Sequence, residues 1–100
     1  MVTVGLLAQI QAKPGKEDEV ASLLSGAVAL ANQEAKTVVW FAFRLSEDRF
    51  GIFDAFADDS GRQAHLEGPI AAALMAKADE LLAKPPSIEP VEVLAAKLGS

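Results

Sequence analysis

Two neighbouring runs of residues constrain this chain more than anything else in it. Thr37 to Leu45 reads Thr-Val-Val-Trp-Phe-Ala-Phe-Arg-Leu, and Phe50 to Ala57 reads Phe-Gly-Ile-Phe-Asp-Ala-Phe-Ala. β-Branched and aromatic residues at this density form strands. The polar Ser46-Glu47-Asp48-Arg49 between them makes the pair a β-hairpin. Both strands are apolar at both parities. Thr37, Val39, Phe41 and Phe43 alternate with Val38, Trp40 and Ala42, and Phe50, Ile52 and Phe56 alternate with Phe53 and Ala55. A sheet open to water on one side alternates apolar with polar residues, so both faces of this one are expected to be covered. One helix layer covers one face. A second copy of the chain is the economical cover for the other, and a homodimer is expected.

The flanking segments set the fold class. Val2 to Ala12 is rich in Val, Leu and Ile and stops at the turn signal Pro14-Gly15. From Lys16 to Asn32 the apolar Val20, Leu23, Leu24, Ala27, Leu30 and Ala31 fall at helical spacing. Glu17, Asp18 and Glu19 sit in the first turn, where the helix dipole favours negative charge. Asp58-Asp59-Ser60 can cap a short helix running to about Leu66. Gly68 breaks it, and Pro69 opens a second helix with Ile70, Ala73, Leu74, Ala78 and Leu81 on one face. Pro85-Pro86 ends that helix, and Ile88 to Leu98 reads as a last strand, with Pro90 marking an edge position or a strand start. The order β-α-β-β-α-β predicts an α+β, ferredoxin-like fold, an antiparallel sheet with helices on one face. At 100 residues, the chain is expected to form a single domain over 1–100.

Composition narrows the function. Nine basic and fourteen acidic residues leave a net charge of −5, with no Lys/Arg run or basic stripe. Nucleic acid and anionic membrane surfaces are therefore poor partners. No cysteine is present, which removes disulfides, thiolate nucleophiles and cysteine metal sites. A single histidine makes a dedicated transition-metal site an unpromising reading. The scattered glycines form no phosphate-binding fingerprint. Met1-Val2-Thr3-Val4 lacks a basic segment followed by a long apolar run, and no apolar stretch approaches the ~20 residues of a membrane helix. A cytoplasmic location is expected.

Several short segments resemble one known family. They are Ala12-Lys13-Pro14-Gly15-Lys16, Phe50-Gly51-Ile52-Phe53-Asp54, Asp58-Asp59-Ser60-Gly61-Arg62-Gln63-Ala64-His65-Leu66 and Ile88-Glu89-Pro90-Val91-Glu92-Val93-Leu94-Ala95. Together they resemble the antibiotic biosynthesis monooxygenase (ABM) domain family, the dimeric α+β barrel proteins. The family often has Glu-Pro-Gly before strand two, where this chain has Glu34-Ala35-Lys36. Its third strand commonly ends near a glutamate, where Asp54 stands here, and its frequent second histidine is replaced by Ile70. The resemblance implies a dimeric barrel and a chemistry drawn from a mixed set: cofactor-independent oxygenases of phenols and quinols, haem-degrading enzymes and an isomerase. No cofactor is expected for the first of these.

His65 is the one side chain whose ordinary pKa lies near neutrality. As a general base it would deprotonate a phenol or quinol, giving an electron-rich anion that reacts with oxygen. The plainer role is a cap or a hydrogen bond to a backbone carbonyl. Trp40, Phe41, Phe43 and Phe53 could wall a flat apolar pocket for an aromatic ring, or simply fill core and interface. Arg44 could meet a carboxylate or phenolate, or end a strand in solvent. Arg62 is expected to pair with Asp58 or Asp59. Asp54 stands at an apolar parity, and a buried carboxylate there needs a partner or a raised pKa. The two functions expected are a cofactor-independent monooxygenase of a small aromatic or quinol substrate, and a non-catalytic binding or structural dimer of the same fold.

Overall fold

The structure is a computed structural model describing residues 1–99. Strand β1 (Val4–Gln11) is followed by helices α1 (Glu17–Gly26) and α2 (Val28–Ala31), then by the hairpin β2 (Thr37–Arg44) and β3 (Arg49–Phe56). Helices α3 (Asp59–Leu66) and α4 (Pro69–Leu81) lead to strand β4 (Ser87–Glu92). The sheet order is β2-β3-β1-β4, all antiparallel, which is the ferredoxin-like arrangement.

Residue parity sorts the sheet into two faces. Leu6, Ala8 and Ile10 of β1 pair with Asp54, Ile52 and Phe50 of β3, which pair in turn with Trp40, Ala42 and Arg44 of β2. This face packs under the helices. Ala8, Ile10, Phe50 and Ile52 join Val20 and Leu24 of α1 and Leu74 and Leu81 of α4 in one buried core. The opposite face carries Leu7, Val39, Phe41, Phe43 and Phe53, and among the described residues no helix covers it. Phe41 is 61% exposed there.

Two glycines shape that bare face. A Cβ on Gly5 would lie 2.6 Å from the Asp54 carbonyl, and one on Gly51 would lie 2.4 Å from the Phe43 ring. The Phe43 ring therefore lies across the β3 backbone.

Two boundaries differ from expectation. The helix predicted over 16–32 divides at Ala27, whose N–H is shared between the Leu23 and Leu24 carbonyls at 3.2 Å each. The shift towards a tighter turn follows Gly26, a weak helix former. The last strand, predicted to run to Leu98, ends at Glu92. Its only partner, β1, begins at Val4 opposite Glu92, and one further bond joins Val93 N–H to the Thr3 carbonyl. Beyond that there is no strand within the chain to pair with, and Leu94 is 89% exposed. Pro90 does sit on an edge strand, since β4 pairs with β1 alone.

Candidate functional site

His65 lies in the last turn of α3, and three local features put it there. Asp58 caps the helix by accepting the Gly61 N–H at 3.2 Å. The Ser60 hydroxyl also donates to Asp58, and these bonds hold its carboxyl below the usual range. Gly61 lets the helix approach closely, because a Cβ there would lie 3.2 Å from both the Lys36 carbonyl and Phe56 Cβ. Arg62 binds Asp59 at 2.7 Å and reaches the Gly5 carbonyl at 3.4 Å, tying the helix to β1. His65 thus turns inward over the sheet. Its ring centroid is 5.5 Å from that of Phe56, and it is 7% exposed.

Both ring nitrogens are held by carboxylates. Nε2 lies 2.9 Å from Asp54 Oδ2, and Nδ1 lies 2.6 Å from Glu34 Oε1. Asp54 comes from the middle of β3, on the helix-covered face. Glu34 comes from the turn between α2 and β2, where its backbone N–H binds the Ala31 carbonyl and its carbonyl accepts from the Thr37 N–H. Glu34 Oε1 also accepts the Thr37 hydroxyl at 2.7 Å. Three distant segments therefore meet in one Asp54–His65–Glu34 triad, with Asp54 and His65 buried and the Glu34 side chain 14% exposed.

Charge in the triad follows from these contacts. Burial alone disfavours the imidazolium. The hydrogen bonds to Asp54 and Glu34, with the attraction of both charges, outweigh it and lift the His65 pKa from 6.5 to about 9. At neutral pH His65 is an imidazolium with both N–H groups donating. It has no lone pair free to take a proton, and none to ligate a haem iron. The haem branch of the resemblance does not fit this histidine.

Beside the triad lies a cavity of about 40 Å³, lined by Asp54 and His65 and otherwise by Leu6, Ala8, Ile52, Ile70 and Leu74, with Leu66, Ala71 and Ile88 at its edge. Asp54 Oδ1 is buried without a hydrogen-bond partner, as are Glu34 Oε2 and Trp40 Nε1. A buried acceptor without a donor is costly, and Asp54, which carries one, lines this cavity.

The expected site residues divide between the two faces. Asp54 and His65 are in direct contact, and Trp40 is the cross-strand neighbour of Asp54. Phe41, Phe43 and Phe53 lie on the opposite, bare face. Arg44 bonds the Ser46 and Glu47 carbonyls at 3.3 and 2.8 Å and stacks 4.9 Å over Phe50, so it braces the hairpin away from His65. Glu34 was absent from the expected set. The signals for it were its place in the variant Glu-Pro-Gly triplet and Thr37, the hydroxyl residue three positions on. The chemical demand of a buried Asp54 pointed to a partner and named none.

No protein-family model matches the chain, and no curated protein does. Solved structures do match. The NE2512 protein of unknown function from Nitrosomonas europaea is 54% identical, with a TM-score of 0.98 over 100% of this chain and 97% of that one. PA3566 from Pseudomonas aeruginosa is 21% identical, with a TM-score of 0.81 over 95% of this chain and 97% of its own. An antibiotic biosynthesis monooxygenase is 17% identical, with a TM-score of 0.78 over 92% of this chain and 99% of its own.

Proposed function

We propose, from the premise that this chain belongs to the same family as NE2512 and has the antibiotic biosynthesis monooxygenase fold, that it is a homodimeric, cofactor-independent monooxygenase of small phenolic or quinol-type substrates. The observation that carries this reading is the triad opening on an apolar cavity, with a carboxylate oxygen free to accept a hydroxyl proton. Removing that proton makes the ring electron-rich enough to reduce oxygen without a cofactor. With a substrate of anthrone type, a ring methylene becomes a carbonyl. One oxygen atom is kept, and the other leaves as water with the two hydrogens lost.

The dimer belongs to the same reading. The bare face carries Phe41 and Phe43 beside half-buried Val39, Leu7 and Phe53. Contiguous exposed apolar surface marks an interaction site, and a second copy is its natural cover. No helix is long and apolar enough to cross a membrane among the described residues, and the reading places the dimer in the cytoplasm.

A specific observation favours a second reading, a binding or structural dimer without chemistry. The cavity admits a hydroxyl or a water rather than a whole ring. Oxygen uptake with a panel of hydroquinones and anthrones separates the two. The monooxygenase reading expects uptake that falls at least ~100-fold in Asp54→Asn, as loss of an acid–base group does. No uptake on any substrate leaves the second reading standing.

A further inference from the structure

The triad does not treat its members alike, and its asymmetry assigns roles. Both nitrogens of His65 are engaged, at 2.6 and 2.9 Å, whereas Asp54 uses only Oδ2 and keeps Oδ1 without a partner while lining the cavity. Asp54 is 2% exposed and lines that cavity, so a hydroxyl that enters there can meet its unpartnered Oδ1. The cavity is closed on the sheet side by Leu6, Ala8 and Ile52 and on the helix side by Ile70 and Leu74, all buried. Leu66 and Ile88 are partly exposed and form its mouth.

The geometry points to Asp54 Oδ1, and not His65, as the group that receives the substrate's hydroxyl proton, with His65 and Glu34 as positioning residues that hold the carboxylate in place. This rests on the reading above. The substrate O–H bond breaks, the proton goes to Asp54 Oδ1, and the electron pair stays on the substrate oxygen. The ring lies in the mouth against Leu66, Ala71 and Ile88, and only its hydroxyl reaches inward. One imidazolium between two carboxylates leaves a negative charge over, in an apolar shell. The site therefore selects a neutral hydroxyl donor and rejects anions such as carboxylates.

The charged groups around His65 are few. Asp54 faces it from β3 and Glu34 from the turn before β2. On its own helix, Arg62 is engaged by Asp59, and Glu67 by Gln63. Lys36 reaches Ser60. No other lysine or arginine is within ion-pair distance of Asp54 or Glu34 among the described residues.

Because the chain has one histidine, its imidazole NMR signals are unambiguous. The first arm titrates His65 in the wild-type protein and in Glu34→Gln. The expected midpoint is near 9, falling in the variant. A wild-type midpoint near 6.5 overturns the proposal, and an unshifted variant removes Glu34 from it. The second arm measures binding of 4-fluorophenol, fluorobenzene and 4-fluorobenzoate by ¹⁹F NMR. The phenol is expected to bind about tenfold or more tightly than either of the others, the worth of a hydrogen bond to a charged acceptor. That preference should vanish in Asp54→Asn. If it survives, Asp54 is not the acceptor. Should Asp54→Asn fail to fold, the wild-type titration and wild-type selectivity still decide: a phenol that binds no better than fluorobenzene overturns the assignment. Asp54-dependent phenol binding without oxygen uptake on any quinol would remove the oxygenase reading and with it the proton transfer, and keep Asp54 as the acceptor that recognises a hydroxyl.

Discussion

On the helix-covered face of the sheet, a histidine and an aspartate are buried together with a partly exposed glutamate beside them; on the bare face, one residue along each strand, phenylalanines stand in solvent. The ordinary distribution of polarity is reversed on both sides. The difference lies in what completes each face. The covered face is completed within the chain, since α3 brings His65 to Asp54 and the turn before β2 brings Glu34. Every buried charge there has a partner. The C-terminal Lys97, Leu98 and Gly99 line a cavity with Val39 and Phe41 only along β2, and among the described residues no helix completes the bare face. Its apolar groups are individually mild, because an exposed phenylalanine costs little, but together they form a surface suited to association.

The largest expected effect tests the covered face. His65→Ala leaves two carboxylates without a cation, and breaking such a network costs about 3–5 kcal/mol. Urea unfolding measures it, and a loss below about 1 kcal/mol would mean that the triad is not what completes this face. Next is pH. His65 has a folded-state pKa of about 9 against an ordinary 6.5, so its contribution is fully present below about 6.5 and is lost as pH rises through about 9. The whole contribution is about 3 kcal/mol. Unfolding curves between pH 6 and 10 should show the decline in the wild-type protein, and His65→Ala should not share it.

The third prediction turns to the bare face. Phe41→Lys should weaken the proposed dimer by about 2 kcal/mol per protomer, the worth of one buried phenylalanine. Sedimentation velocity reads the mass, and the His65 titration midpoint should not move. A dimer of unchanged strength would place the interface elsewhere. The smallest effect is Gly68→Ala. Its Cβ would lie 3.3 Å from Glu34 Oε2 and from the Ala64 and His65 carbonyls. Crowding of that kind costs about 1 kcal/mol. The sharper readout is His65, whose midpoint should drop if Glu34 is pushed away.

The fold was legible for a physical reason. Strand and helix patterns depend on neighbours within a few residues, and the runs at Thr37–Arg44 and Arg49–Phe56 and the caps at Asp58 and Pro69 carry that local information. Half of the site was legible too. Asp54 breaks the apolar pattern of its strand, and burial forces such a carboxylate to find a partner. Glu34 was not, because its local signals, the variant triplet and Thr37 three positions on, say nothing of which distant side chain it meets. The aromatic candidates Phe41, Phe43 and Phe53 illustrate a related limit. Composition names them as pocket walls, but parity sends all three to the face away from His65.

From its residues alone, then, this chain determines an antiparallel α+β sheet, two apolar sheet faces and a lone histidine, because each follows from periodicity and residue chemistry within short segments. The tertiary structure alone decided what that histidine is. Glu34 and His65 lie 31 positions apart, and only the packing of α3 against the turn before β2 brings them within hydrogen-bond distance. That closure converts a candidate base into a clamped imidazolium and leaves the open acceptor on Asp54.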